Sequence, residues 1–263
     1  MGRLILLGTG GSMGIPVVTC ECDVCKSTSP YNKRLRPSAL IQMGDKTILI
    51  DSGPDFRMQA LRYDLKHLDG VLITHAHHDH TAGIDELRVF YIAAKKTLPC
   101  LMSKETYEDL KVRFAYLFVE DAPKHQLISR LDIQLLPEER GMIDFAGEKI
   151  QYLSYEQAGM KVNGFRFGDL AYISDISKYP ETIFKDLEGI NYLIVSALRF
   201  VPSPLHFSID EAVEFATKLN VKKAWLTHLS HAIDHEKAEA LLPKNVRLAY
   251  DGLEIPFDEH FSQ

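Results

Sequence analysis

The sequence predicts an α/β sandwich made of two similar halves, and three observations carry that expectation. Short β-rich runs alternate with amphipathic helical patterns along 263 residues, with no low-complexity linker between them. One strand-and-turn unit occurs twice. Gly44 to Asp51 reads GDKTILID and Gly168 to Asp175 reads GDLAYISD, each with a Gly-Asp hairpin turn, a β-rich run and a closing aspartate. Downstream of each lies an apolar run ending in Thr-His, with another histidine three residues on: LITHAHH (Leu72 to His78) and WLTHLSH (Trp225 to His231). Both pairs in the same order point to two half-folds, each delivering an Asp and a His from strand ends. Residues 1–263 therefore read as one domain.

In chain order, the runs expected as strands are Leu4–Leu7, Ala39–Met43, Thr47–Ile50, Val71–Thr74, Ile133–Leu136, Lys149–Leu153, Leu170–Ser174, Tyr192–Val195, Lys223–Thr227 and Val246–Tyr250. The Gly-rich run from Gly8 to Gly14 (GTGGSMG) reads as tight turn sequence after the first strand. It has no P-loop lysine, and a G-x-G-x-x-G match would need its third glycine at Met13. The clearest helix is Ser208 to Leu219. Ser208 and Glu211 form a capping box, and Ile209, Ala212, Val213, Ala216 and Leu219 share one face.

Composition narrows the function. Hydrophobic content of 46% and charged content of 25% are ordinary for a soluble globular protein. A net charge of −6 argues against a nucleic-acid polymer as partner, because a polyanion footprint needs an excess of Lys and Arg. A small anionic substrate in a metal-lined pocket is compatible with it. The apolar run at Leu4 to Leu7 is too short for a signal peptide, and no stretch approaches the roughly 20 apolar residues of a membrane span, so no membrane partner and a cytoplasmic location are expected. A homodimer remains open.

The chemistry is concentrated in ITHAHHDHTAGID, where four of eleven histidines and one aspartate occupy positions 75 to 80 after an apolar strand. On extended backbone His75 and His77 point the same way and can grip one ion, while His78 points away. Asp79 and His80 are then placed for a second ion. Imidazole nitrogen and carboxylate oxygen suit zinc, with manganese or iron as alternatives. Two ions roughly 3.5–4 Å apart can hold a bridging hydroxide and clamp a phosphodiester. Three of four cysteines fall in Cys20-Glu21-Cys22-Asp23-Val24-Cys25; in a reducing compartment such a cluster reads as a metal site rather than a disulfide framework. A structural zinc needs a fourth ligand, and His231 is the candidate. Cys100 reads as a buried core cysteine.

His75-x-His77-x-Asp79-His80 resembles the H-x-H-x-D-H signature of the metallo-β-lactamase superfamily, a four-layer αβ/βα sandwich of two similar halves. LGTGGSMGIPVVTCECDVC, NKRLRPSALI, DSGPDFRMQAL, GIDELR, GFRFGDLAYISDIS and THLSHAIDH extend the resemblance over almost the whole chain, toward the phosphoribosyl 1,2-cyclic phosphodiesterase (PhnP-type) branch. The resemblance implies that His75 and His77 hold a first metal, that Asp79, His80 and His228 hold a second, and that Asp175 bridges them. It implies that Asp51 orients a ligand histidine through its other ring nitrogen, and that His206 contacts the scissile phosphate and can protonate the leaving alkoxide. It also assigns His231 to the cysteine site. One position departs from the family pattern. Aligning the G-F-R-x-G-D core puts Gln157 where relatives carry a further histidine ligand. An amide oxygen is harder and a weaker zinc donor than imidazole. Three arrangements follow: Gln157 ligates weakly, Glu156 replaces it, or the first site keeps His75, His77, Asp175 and water. A weakened first site that tolerates manganese is the expectation.

Of the remaining residues, His235 is expected at a helix start on the surface. His67, His125 and His260 receive no functional reading. Arg34, Arg36 and Arg57 are candidates to meet a substrate phosphate, against the commoner case of exposed salt-bridged arginines. The function implied is a metal-dependent phosphodiesterase that hydrolyses a small cyclic phosphate or related diester through a metal-bridging hydroxide, with two divalent ions (zinc or manganese) and one structural zinc. The alternatives are a thioester or lactone hydrolase of the same superfamily and a non-catalytic metal or cofactor module like pyrroloquinoline-quinone biosynthesis protein B, whose Gly-rich, cysteine-bearing N-terminus is similar. A tRNA 3′-end nuclease is disfavoured by the acidic charge, and a secreted β-lactamase by the expected lack of an export signal.

Overall fold

The computed structural model describes residues 1–119 and 127–261; His125 lies outside them. Strands β1 (Gly2–Gly8), β2 (Ser38–Met43), β3 (Lys46–Ile50), β4 (Gly70–Leu72), β5 (Leu98–Met102) and β6 (Leu131–Leu135) belong to one sheet. Strands β7 (Arg140–Phe145), β8 (Glu148–Gln157), β9 (Met160–Phe167), β10 (Leu170–Ile173), β11 (Tyr192–Ser196), β12 (Lys223–Thr227) and β13 (Val246–Leu248) form the other, and β14 (Glu254–Phe257) returns to the edge of the first. The orders are β14-β1-β2-β3-β4-β5-β6 and β13-β12-β11-β10-β9-β8-β7. Helices α1 (Asp23–Lys26), α2 (Phe56–Arg62), α3 (His78–Thr81), α4 (Arg88–Ala94), α5 (Lys104–Arg113), α6 (Ile183–Asp186), α7 (Ile209–Lys218) and α8 (His235–Glu239) occupy the connections.

Side-chain alternation explains the layers. In β1, Leu4 and Leu6 pack between the sheets while Ile5 and Leu7 pack toward the helices, and β2 and β10 sort the same way. One core therefore lies between the sheets, around Ile41, Ile48, Phe165, Tyr172 and Trp225. A second lies under α2, α4 and α5, and a third under α6 and α7. Strands covered on both faces read as continuous apolar runs, which is why most of the central ones, β5 and β9 excepted, were legible from the sequence. The result is the expected four-layer sandwich.

The two halves are related as the first echo predicts and not as the second does. In each sheet an antiparallel hairpin leads into parallel strands: β2–β3 then β4, and β9–β10 then β11. Both hairpins turn on Gly-Asp, with Gly44 at φ +54° and Gly168 at φ +55°, and both end in a left-handed aspartate, Asp51 at +60° and Asp175 at +54°. Asp and Gly are among the residues that tolerate this region. The Thr-His runs are not equivalent. His75 follows β4, the immediate neighbour of β3, whereas His228 follows β12, which lies one strand further from β10 than β11 does.

The ten expected strands all form, within a few residues of their expected ends. Sequence reading missed β5, β7, β9 and β14. Strand β9 (MKVNGFRF) carries Lys, Asn and Arg and has glycine in its middle. A Cβ on Gly164 would lie 2.6 Å from Ile173 Cδ1 and 3.0 Å from Tyr155 Cε1, so any larger residue there would have to displace these side chains. Helix α7 has the expected capping box, Ser208 Oγ accepting from the Glu211 N–H and Glu211 accepting from the Ser208 N–H.

Candidate metal centre

The carboxyl ends of the parallel strands of both sheets converge, which is where open α/β sheets place ligands. From the first sheet come Asp51 after β3 and the 75–80 segment after β4; from the second come Asp175 after β10 and His228 after β12. The segment begins extended, so His75 and His77 share a side with His75 Nε2 and His77 Nδ1 2.9 Å apart, while His78 is exposed. It then turns into α3, which brings Asp79 and His80 inward.

His80 is fully buried. Its Nδ1 lies 2.7 Å from Asp51 Oδ2, and its Nε2 lies 3.0 Å from Asp175 Oδ2 and 3.4 Å from Asp79 Oδ2. That Nε2 makes no hydrogen bond despite its proximity to two carboxylates. His228 Nε2 sits 3.2 Å from both Asp79 Oδ2 and Asp175 Oδ1. Asp51 is itself held by the N–H and hydroxyl of Thr74, each at 2.8 Å. Ring nitrogens and carboxylate oxygens converging in a buried space, one orphaned and backed by a carboxylate, form a donor set that fits a divalent cation. His75, His80 and Asp175 form one such group and Asp79, His80 and His228 another.

Electrostatics follow from this proximity. Burial pushes His75 well below the ordinary imidazole value. Burial works the same way on His80, but Asp175, Asp79 and Asp51 outweigh it and raise that group well above. Burial alone would raise Asp175 and Asp79; the facing His228 and His80 hold both below the usual carboxylate range.

His206 is not a free surface histidine. Its side chain is 12% exposed, with Nδ1 3.3 Å from Asp175 Oδ1 and its ring stacked 4.7 Å from that of His228. Burial lowers it to about 4, so near neutral pH it is an uncharged imidazole. Gln157 ends β8, is buried, and donates from Nε2 to Asp175 Oδ1 at 3.1 Å; the same Nε2 is 2.9 Å from His206 Nε2. Glu156 alternates to the opposite side and is exposed, so it does not take the place of a missing ligand.

A second cluster joins distant parts of the chain. Cys20, Cys22 and Cys25 Sγ lie 3.2, 3.5 and 3.6 Å from His231 Nδ1. A tetrahedral zinc with Zn–S of about 2.3 Å and Zn–N of about 2.0–2.1 Å puts sulfur and nitrogen roughly 3.5 Å apart, so this set fits it. The Cys22 thiol is lowered to about 6, chiefly by the Cys25 backbone N–H.

Several sequence expectations need correction. His235 does begin α8 but is buried: its Nδ1 is 2.9 Å from an Arg34 nitrogen and its ring stacks on Tyr31 at 4.8 Å. Arg34 is 2% exposed and donates to Thr9 Oγ1 and the Ala249 carbonyl, so it faces the interior rather than a substrate phosphate. Arg36 pairs with Asp55 at 3.0 Å, and Arg57 is exposed. The Gly8–Gly14 run is more than a turn. Gly10 bridges Leu229, and a Cβ on Gly11 would lie 3.4 Å from the His228 ring. Cys100 is buried in the core as expected. Arg113 was missed: from the end of α5 it donates to the Ala76 carbonyl and lies 3.4 Å from Thr81 Oγ1, clamping the histidine loop from outside. No sequence pattern connects residue 113 to residue 76; Thr74, in contrast, was signalled by the repeated Thr-His.

A crystal structure described as a new diphosphatase from the PhnP family superposes with a TM-score of 0.90 at 34% identity, covering 100% of both chains. An octanoyltransferase from Porphyromonas gingivalis is 32% identical over 98% of this chain, but the chain spans only 52% of that protein. Coenzyme PQQ synthesis protein B from Methylobacterium nodulans is 31% identical over 100 residues, 33% of each protein. The zinc-bound PqqB structure from Methylobacterium extorquens shares the fold at 16% identity, with a TM-score of 0.73 over 97% of this chain and 100% of that one. The family model of the β-lactamase superfamily domain matches residues 46–229, which hold Asp51, the 75–80 cluster, Asp175 and His228. With that match and the two-sheet architecture, this chain belongs to the metallo-β-lactamase superfamily.

Proposed function

We propose that the chain is a metal-dependent hydrolase of phosphorus–oxygen bonds in a small anionic substrate, a cyclic phosphate, a related diester or a diphosphate. The observation that carries this reading is the single buried cluster in which Asp79, His80, Asp175 and His228 lie within 3.4 Å of a neighbour, with His206 at its edge. Asp79, His80 and His228 would hold one ion and His75 and His77 its neighbour, with Asp175 placed to serve both. When bound, the ions supply a hydroxide nucleophile and stabilise charge on the phosphoryl oxygens.

The protein's own groups do the rest. Asp51 accepts from His80 Nδ1 and so presents Nε2 to the centre. The substrate's negative charge orients it toward the cations, with His206 at the edge of the cluster. His206, uncharged in the free protein, offers a ring N–H to a phosphoryl oxygen. The arriving anion favours its charged form, and the proton is then available to the leaving oxygen. Cys20, Cys22, Cys25 and His231 hold a structural zinc that fixes the loop three residues beyond His228. The diphosphatase relative, 34% identical across the whole chain, supports phosphorus chemistry.

A second reading, a thioester hydrolase, is favoured by one observation, the octanoyltransferase relative that matches nearly all of this chain with about half of its own length. A panel of cyclic phosphates, linear diesters, diphosphates and acyl thioesters, assayed with zinc or manganese, separates the two. Turnover of a phosphorus substrate that is lost in Asp79→Ala supports the proposal. Turnover confined to thioesters replaces it, and equal signals from both proteins indicate no catalysis.

A further inference from the structure

We infer that the centre binds its two ions unequally: the Asp79–His80–His228–Asp175 set holds one tightly, and Gln157 leaves the His75–His77 set short of a donor. This rests on the two-ion centre proposed above.

The first set is closed. His80 Nε2 and His228 Nε2 each face Asp79 Oδ2, at 3.4 and 3.2 Å, and each faces an oxygen of Asp175, at 3.0 and 3.2 Å. Asp79, His80 and His228 form one donor group and Asp175 faces both rings, so four donors come from three points of the chain. Among the described residues, the donor group around His75 consists of His80 and Asp175, both also facing the first set, with His77 beside it at 2.9 Å; His206 groups with Asp175 and His228 instead.

Gln157 holds the sequence position of the missing histidine, but in the fold its amide N–H groups face Asp175 Oδ1 and His206. Its Nε2 donates to Asp175 Oδ1 and also faces His206, while its Oε1 is buried without a partner. Rotating the amide would bring its oxygen against Asp175 Oδ1, replacing a hydrogen bond with two facing acceptors. The amide therefore takes up lone-pair density on Asp175 instead of adding its own. Glu156, the charged neighbour, is exposed on the other side of the strand. The weak place is one of low imidazole count and suits a harder ion that retains water.

The test is a titration of chelator-stripped protein with Mn²⁺, followed by electron paramagnetic resonance. Manganese avoids the thiolate cluster, so that site does not enter the count. The first equivalent is expected to give the signal of an isolated ion. A spin-coupled pair signal follows only at excess metal, with the second affinity lower by about tenfold or more. His75→Ala should remove the second event and leave the first unchanged. Gln157→His should raise the second affinity by about tenfold or more, and Gln157→Ala should not lower it. A pair signal from the first equivalent onward, loss of the tight ion in His75→Ala, or a weaker second ion in Gln157→Ala each overturns the inference. If Gln157→His does not fold, the two alanine variants still decide. Turnover is not read here, so ordered Mn²⁺ binding by a protein that hydrolyses none of the phosphorus substrates would sink the functional proposal and leave this one standing.

Discussion

Asp51 touches no candidate substrate position, yet it fixes the tautomer of a ligand candidate. Its oxygens receive the Thr74 N–H, the Thr74 hydroxyl and His80 Nδ1, all at 2.7–2.8 Å. Asp51→Ala should weaken metal binding roughly 10–100-fold, measured by competition with a chelating dye, with little change in the far-ultraviolet circular dichroism. His235 gives a prediction of a different kind. Burial and the adjacent Arg34 lower it to about 4, so as pH falls below about 6.5 the unfolded chain takes up its proton before the folded one does. The stability it contributes is full above about 6.5 and is lost as pH falls toward about 4. Thermal melts across that window should show a shallower pH slope in His235→Phe than in the unsubstituted protein; equal slopes would remove His235 as a contributor. The sequence made Asp51 legible through the repeated Gly-Asp unit. It hid the burial of His235 and Arg34, because exposure depends on partners roughly 200 residues away that no local pattern signals.

At the level of elements, the apolar β-runs and the capped helix α7 were readable because period and capping are local properties. Strands β7 and β14 were not, since each lies at a sheet edge and is half polar. Helix α7 supplies a direct test. Ser208→Ala removes the oxygen that accepts the Glu211 N–H and should cost about 1 kcal/mol in chemical denaturation. The same cap ends the 199–208 loop, where the Ile209 N–H donates to the Arg199 carbonyl, so His206 is tethered two residues before a rigid helix start. Fraying this cap should therefore also raise KM for a phosphorus substrate.

On the scale of the whole molecule, the cysteine cluster ties residues 20–25 to residue 231, and the Leu229 N–H donates to the Thr9 carbonyl nearby. Cys25→Ser should lower the bound zinc by one equivalent, reduce the melting temperature and weaken metal binding at the distant centre, since His228 sits between Thr227 and this anchor. Unchanged active-centre affinity would uncouple the two sites. The order of strands has a last consequence. The chain passes from one sheet to the other through residues 137–139, but β14 crosses back to lie against β1. A nick in that passage would not liberate two autonomous modules. The carboxy-terminal fragment would carry an edge belonging to its counterpart, and each piece would own only part of the cation cage. Such fragments should be inert when separate and regain metal binding when mixed, a complementation written into the path of the backbone.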